Sequence, residues 1–260
     1  MNLAQKLLQR VRAGERLYGA HTFFTDPQIG NAFAYLGYDF VWIDGEHAPF
    51  DKERLLMEVI AVNEGGSAAF VRVPWNDPVL IKPVLEMGVD GIILPMVETE
   101  EDAKRAVAAC SYPPTGCRGY GPKRAAKYGI QPVQEYIKES SQSFLTIVQV
   151  ETALGVSNIP KIAAVPGIDV IIVGPSDLSG SIGLLKQADH PDVQKIYDEA
   201  AALCCESGIA WGVSIKPDIA TVREWEKRGA QIIGCADDLS FVVNSGREFL
   251  RKVTEENKEE

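Results

Sequence analysis

Eight short apolar runs alternate with amphipathic helical patterns along the whole chain. The runs are LYGAHTFF (Leu17–Phe24), FVWID (Phe40–Asp44), AAFVRV (Ala68–Val73), GIILPM (Gly91–Met96), FLTIVQVE (Phe144–Glu151), VIIVGP (Val170–Pro175), WGVSI (Trp211–Ile215) and IIGCA (Ile232–Ala236). Several are apolar at nearly every position, as parallel strands covered on both faces must be. The patterns between them begin with DPQIGNAFAYLG, FDKERLLMEVIAVNEG, DPVLIKPVLEMG and TEEDAKRAVAAC. Asp26, Asp77 and Thr99 stand where N-caps belong, and Pro27 and Pro78 occupy first turns. Glycines end the helices and the next strand follows at once, at GYDF (Gly37), GVDG (Gly88), GIDV (Gly167) and GAQI (Gly229). Gly-x-Asp-apolar is thus a weak internal repeat of one βα unit. Eight such units in 260 residues predict a (β/α)8 barrel occupying 1–260 as one domain. The alternative is an open doubly wound sheet, but no G-x-G-x-x-G follows a strand. LSFVVNSGREFLRKV predicts an extra amphipathic helix after the last strand, so 239–260 reads as a C-terminal helix and acidic tail.

A formal net charge of −10 argues against nucleic acid as a partner, because phosphate binding requires a basic surface. The five cysteines form no C-x-x-C and no metal-ligand spacing, so they read as reduced thiols of a cytoplasmic protein. MNLAQKLLQRVRAGE is an amphipathic helix with interleaved charge rather than a signal peptide, and no apolar run is long enough to span a membrane.

Barrel active sites lie at the C-terminal ends of the strands, and ionisable residues collect there. FVWIDGEHAPF ends strand two with Asp44, Glu46 and His47, and strand three ends at Arg72. Strand five carries Gln149 and Glu151, strand six runs into Gly174, Pro175, Ser176 and Asp177, and Asp237 and Asp238 follow strand eight. Glu151 and Asp177, on neighbouring strands, can share a hard divalent cation that keeps waters or substrate oxygens, or they can simply cap the helices that follow. Arg72 in an apolar strand requires a partner: either a substrate carboxylate or oxyanion, or a structural ion pair with Asp44 or Glu46. Asp44 and His47 are spaced for a dyad in which the carboxylate fixes the imidazole for acid–base work, though a lone histidine can equally be a hydrogen-bonded structural residue. His21 could line the mouth, whereas His190 in KQADHP reads as surface. Arg118, in the Gly/Pro-rich YPPTGCRGYGP, could meet an anionic substrate or belong to a rigid loop. No lysine lies inside a strand as Schiff-base chemistry would require. Lys216 borders Pro217 and Lys123 lies in the Gly/Pro loop.

WIDGEHAPFD, RVPWNDPVLIKPVLEMGVDGIILPMVET, YPPTGCRGYG, IVQVET and GPSDLSGSIG together resemble the HpcH/HpaI family of metal-dependent class II pyruvate aldolases, in order and over nearly the whole chain. The resemblance implies a (β/α)8 TIM barrel of the phosphoenolpyruvate/pyruvate type. It also implies reversible cleavage of a 4-hydroxy-2-oxo acid (a 2-keto-3-deoxy sugar acid or a 4-hydroxy-2-oxo diacid) to pyruvate and an aldehyde. Oxaloacetate decarboxylation, or another enolate-forming lyase reaction of that barrel group, is the alternative. On the resemblance Glu151 and Asp177 become ligands of Mg²⁺, Mn²⁺ or Co²⁺. Gln149, Gly174, Pro175, Ser176 and Asp177 become pyruvate-binding positions. Arg72 stabilises the enolate, and His47, oriented by Asp44, is the acid–base residue. Glu86 stands where the family usually carries an Asp that reaches a histidine of an adjacent subunit, and Phe50 where many members carry Asn. A homo-oligomer is implied, a hexamer built as a trimer of dimers, with the C-terminal helix exchanged between subunits.

Overall fold

In the computed structural model, which describes residues 2–256, eight parallel strands close into a barrel in sequence order. They are β1 (Leu17–Thr22), β2 (Phe40–Asp44), β3 (Ala68–Arg72), β4 (Gly91–Leu94), β5 (Leu145–Val150), β6 (Val170–Val173), β7 (Ala210–Ser214) and β8 (Ile232–Asp237). The helices are α1 (Leu3–Arg12), α2 (Pro27–Tyr35), α3 (Lys52–Glu64), α4 (Pro78–Glu86), α5 (Glu100–Cys110), α6 (Val133–Glu139), α7 (Ala153–Ser157), α8 (Ile159–Ala163), α9 (Pro175–Ser181), α10 (Pro191–Ser207), α11 (Ile219–Arg228) and α12 (Asp238–Glu256). The fold is therefore a (β/α)8 TIM barrel with an additional C-terminal helix. Six of the runs extend one or two residues past their strands, two of them into Pro95 and Pro175, which cannot donate to the ladder. The last four residues of the acidic tail, 257–260, lie outside the described residues. Asp26, Asp77 and Thr99 each cap a helix, and Thr99 completes a capping box with Asp102.

The Gly-x-Asp repeat has a structural cause. Asp39 accepts the Tyr18 amide at 2.9 Å, Asp90 the Ala69 amide at 3.0 Å and Asp169 the Thr146 amide at 2.8 Å. Each aspartate precedes an even-numbered strand and ties down the odd-numbered strand before it, so the true repeat is two βα units long. At the fourth place Gln231 offers no carboxylate; its main-chain N–H donates to the Trp211 carbonyl at 2.9 Å and its carbonyl accepts the Leu17 amide at 2.7 Å. Gly37, Gly88 and Gly167, with φ of 92°, 73° and 101°, make the left-handed turn that delivers each aspartate.

Side chains alternate between the barrel interior and the helix layer. Phe40, Trp42, Phe70, Ile93, Ile147 and Ile172 fill the interior, and Leu7 and Val11 of α1 join them. Val41, Ile43, Val71, Leu94, Val148 and Val173 pack outward into the helix layer. Toward the C-terminal ends the inward positions turn polar without a change of parity. Asp44 follows Trp42, Arg72 follows Phe70, Gln149 and Glu151 follow Ile147, and Ser214 follows Gly212. Among the described residues no helix is long and apolar enough to cross a membrane. The helix α12 leaves Phe241, Val242, Phe249 and Leu250 exposed.

Between α2 and α3 lies a buried acid. Glu58 is fully buried, and neither of its carboxyl oxygens has a hydrogen-bond partner. Gly30 makes room for it: a Cβ there would sit 2.2 Å from Glu58 Oε1. Burial pushes the Glu58 pKa up to about 8 from 4.5. Its ionisation therefore costs the folded state stability that is lost progressively as pH rises from 4.5 through 8. Glu58→Gln is expected to stabilise the protein by about 1–3 kcal/mol at the alkaline end of that window and much less at its acid end. Urea unfolding at the two pH values measures this, and an equal gain at both would place the cost elsewhere.

Candidate active site

Asp44 ends β2 with its side chain buried in the barrel mouth. Its Oδ1 accepts the backbone amides of Glu46 at 3.0 Å and His47 at 3.2 Å, which turns the chain out of the strand. The same carboxylate binds Arg72, through Nε to Oδ1 at 3.1 Å and through Nη2 to Oδ2. Arg72 Nη1 lies 3.1 Å from Glu46 Oε2. The guanidinium stands 5.4 Å from the Trp42 ring centroid, and the edge of His21 packs on the same indole. Trp42 is thus the floor of the site. A guanidinium has five N–H donors. Two go to Asp44 and one faces Glu46, so two are left for a ligand. Burial alone would raise the Asp44 pKa, but Arg72 and the two amides hold it below the ordinary value. His21, buried and beside Arg72, is pushed down to about 4 and is neutral near pH 7. It pairs with Ser214 Oγ at 3.2 Å.

Glu151 lies one residue beyond β5 and is almost fully buried. It accepts the Met96 amide at 3.0 Å and Gln149 Nε2 at 2.7 Å. Burial pushes its pKa up to about 7 against the Met96 amide and Arg72, and Asp177 and Glu46 raise it further. A Cβ on Gly174, the residue between β6 and α9, would lie 2.8 Å from Glu151 Oε2, so glycine there leaves the carboxylate its place. Gln149 Oε1 is buried without a partner. Arg72, Gln149, Gly174, Pro175, Ser176 and Asp177 face one cavity of about 230 Å³ with Asp44, His47, Phe23, Lys186 and Ser214.

The structure thus brings most of the expected residues to one mouth, with corrections. The Asp44–His47 dyad does not form. Asp44 spends its oxygens on Arg72 and on backbone amides, and the His47 imidazole is exposed with Glu46 3.7 Å away. Arg72 is a paired cation, held by Asp44 and Glu46 together. Glu86 ends α4 beside Gly121 and does not face the cavity, so within one chain it does not meet His47. Arg118 is buried against Tyr112 and bonds Tyr136 Oη at 3.3 Å, which makes it part of the loop's own packing. Phe50 packs on the outer core and does not line the cavity. His190 caps α10. Trp42, Ser214 and Lys186 are site residues beyond those expected from sequence. Strand parity points to the first two, whereas nothing in the polar loop signals the third.

Glu151 and Asp177 fit a hard divalent cation. Their donors are carboxylate oxygens, and Glu151 is held by the Met96 amide and by Gln149, whose own oxygen is buried without a partner. Among the described residues no group of three or more His, Cys, Asp or Glu is gathered as a metal cage. A cation here would keep several positions for water or substrate, as Mg²⁺ and Mn²⁺ do.

Because Asp44 is buried and Arg72 nearly so, Arg72→Ala is expected to affect folding as well as the site. Stranding a buried carboxylate costs about 3–5 kcal/mol. Asp44→Asn in the same chain is expected to recover much of that loss, as a double-mutant cycle of urea unfolding would show. Full additivity would mean that the pair is not coupled.

A family model described as HpcH/HpaI aldolase/citrate lyase matches residues 21–245. A 5-keto-4-deoxy-D-glucarate aldolase of Salmonella paratyphi C (strain RKS4594) is 39% identical over 222 residues, covering 85% of this chain and 86% of its own. The crystal structure of an HpcH/HpaI aldolase/citrate lyase family protein from Burkholderia cenocepacia J2315 superposes with a TM-score of 0.90 at 34% identity, covering 96% of this chain and 99% of that one. The citrate synthase SbnG superposes at 0.86 with 26% identity, covering 97% and 98%. Match, identity and fold agree along the chain: it belongs to the HpcH/HpaI aldolase/citrate lyase family and is a carbon–carbon lyase.

Proposed function

We propose that this enzyme reversibly cleaves a 4-hydroxy-2-oxo acid, either a 2-keto-3-deoxy sugar acid or a 4-hydroxy-2-oxo diacid, to pyruvate and an aldehyde. The observation that carries this reading is Arg72, a buried cation that lines one cavity with Gln149, Asp177 and His47 and keeps two N–H groups beyond those that meet Asp44 and Glu46. The relative named 5-keto-4-deoxy-D-glucarate aldolase supports it.

A divalent cation held by Glu151 and Asp177 would supply Lewis-acid stabilisation of negative charge on the 2-oxo acid. The chain's own groups do the rest. Gln149, Ser176 and the backbone at Gly174 and Pro175 orient the pyruvate half of the substrate. His47 takes the proton of the C4 hydroxyl, directly or through a water, with Glu46 beside it to support the imidazolium. The C3–C4 bond breaks, C4 becomes the aldehyde carbon, and the electron pair moves into the C2–C3 bond with charge on the C2 oxygen. Arg72 meets that charge, already oriented by Asp44 and Glu46, so little reorganisation is needed. Trp42 and Phe23 limit water around it. Protonation at C3 then releases pyruvate.

Chelation is expected to abolish aldol cleavage, and Mg²⁺, Mn²⁺ or Co²⁺ to restore it. Glu151→Ala and Asp177→Ala should each lower kcat by about 10²–10³ or more. Borohydride with pyruvate should leave Lys186 and Lys216 unmodified. A trapped adduct, with activity surviving chelator, would replace this mechanism with Schiff-base catalysis. The second reading, oxaloacetate decarboxylation or a related enolate-forming reaction, draws on the likeness to a citrate synthase. A higher kcat/KM for oxaloacetate than for every 4-hydroxy-2-oxo acid would favour it.

The exposed apolar face of α12 supports a homo-oligomer, a hexamer on the family pattern, in which a neighbouring subunit covers Phe241, Val242, Phe249 and Leu250. Light scattering at micromolar concentration should find an assembly, and Phe249→Asp with Leu250→Asp should dissociate it. A monomeric parent protein would also remove any role of Glu86 across a subunit boundary.

A further inference from the structure

β8 ends at Asp237 and α12 begins at Asp238, with no residue between them. In the β1–β8 register His21 lies opposite Asp237. Where β8 turns away into the helix, the chain that leaves β1 therefore loses its partner on that side. The amides of Phe23 and Phe24 come at this point and need another acceptor. Asp238 supplies it from the first position of α12. Its Oδ1 and Oδ2 lie 3.1 and 3.0 Å from the Phe23 nitrogen, and Oδ2 also accepts the Phe24 amide at 2.9 Å. Oδ1 accepts the adjacent Leu239 amide at 2.7 Å, and the residue is buried.

Helix capping does not account for this carboxylate. Asp237 already caps α12, since its Oδ1 accepts the Ser240 amide. The oxygens of Asp238 go instead to residues 23 and 24, in the loop between β1 and α2. α12 also meets the helix that follows this loop, with the Phe241 ring 6.2 Å from that of Phe33 in α2. Farther along the loop Arg54 reaches Thr25 Oγ1 at 3.2 Å, so the end of the loop nearest β1 is the end that Asp238 holds. Phe23 is the loop residue that faces the chemistry. It lines the active-site cavity with Asp44, His47, Arg72 and Gln149, and its ring lies 6.1 Å from that of His21.

On the reading of the preceding subsection, in which this cavity performs the aldol chemistry, we propose that Asp238 is a positioning residue of the reaction. It fixes the backbone at Phe23 so that the ring forms an apolar wall of the cavity, and it makes that wall depend on the seating of α12. The wall limits water around the charge that Arg72 meets, where a preorganised and dry environment strengthens each electrostatic contact. Two carboxylate oxygens on two successive amides, each a charge-assisted bond, hold the loop in one orientation. An asparagine of the same shape has one acceptor oxygen, and its NH2 group would oppose a backbone N–H.

The test measures aldol addition of pyruvate to glycolaldehyde with Mn²⁺, beside urea unfolding of each variant. Asp238→Asn should lower kcat by about 10- to 100-fold with the KM for pyruvate little changed, as displacement of a wall by about 1 Å would do. Phe23→Ala should lower kcat in the same way. The double variant should be no slower than Phe23→Ala alone, because Asp238 acts through the ring. A carboxylate that serves stability alone would give the opposite pattern. Urea stability would fall with kcat intact in Asp238→Asn, or the two losses in kcat would multiply, and either result overturns the proposal. An unchanged kcat in Phe23→Ala overturns it as well. If Asp238→Asn does not fold, Asp238→Ser carries the same cycle. These outcomes leave the aldolase reading intact, whereas absence of aldol turnover by wild type with every aldehyde overturns that reading and the proposal with it.

Discussion

The pair formed by Asp44 and Arg72 sets the geometry of the barrel mouth. The two residues are opposite each other in the β2–β3 register, so the sheet itself delivers the carboxylate to the guanidinium. The same inward parity puts Trp42 and Phe70 one step below them, and these apolar side chains exclude water from beneath the pair. A guanidinium at such a depth requires partners with good geometry, because each charge is expensive to desolvate alone. Asp44 supplies them at the strand end, and Glu46 adds a second contact from the turn that Asp44 itself organises by accepting two amides. Strand pairing, turn and charge are therefore one arrangement, and Arg72 has no freedom to rotate away from the cavity.

This dependence explains which parts of the site could be read from sequence. The eight strands were legible because apolar runs, N-caps and Gly-x-Asp junctions agreed along the chain. The polar residues at the strand ends were legible because a barrel places its chemistry there. Partnerships were harder. A three-residue spacing from Asp44 to His47 suits a dyad and equally suits a turn in which the carboxylate accepts backbone amides, and the turn is what forms. Arg118, in a loop of glycines and prolines, suits either a substrate anion or the loop itself, and Tyr112 and Tyr136, from separate segments, enclose it in the loop. Glu86 lies on the outside of α4, where its neighbour in the same chain is the loop at Gly121. Lys186 gave no signal at all, since an exposed lysine in a polar loop has no periodicity, and only the left-handed backbone brings it to Ser176.

The internal repeat shows the same limit in the fold itself. Gly-x-Asp recurs visibly at Asp39, Asp90 and Asp169, but its function is to hold an amide of the preceding odd-numbered strand, which only the pairing reveals. At the fourth place Gln231 makes only main-chain bonds to Trp211 and Leu17, and its side chain donates instead to the carbonyl of Val11. That substitution ties the start of β8 to the end of α1, the helix whose Leu7 and Val11 join the barrel interior. The catalytic end can carry unpaired polar atoms such as Gln149 Oε1 because the other end is closed by apolar packing.

Charge balance at the mouth then orders the roles of the groups around it. Asp44, Glu46, Glu151 and Asp177 set four carboxylates against the single guanidinium of Arg72. Burial and this excess of negative charge both raise the Glu151 pKa to about 7. A 2-oxo acid brings more negative charge to the same place, so it requires compensation on the side where its pyruvate half sits. A divalent cation on Glu151 and Asp177, as proposed, offsets two of those charges and favours the ionised form of Glu151.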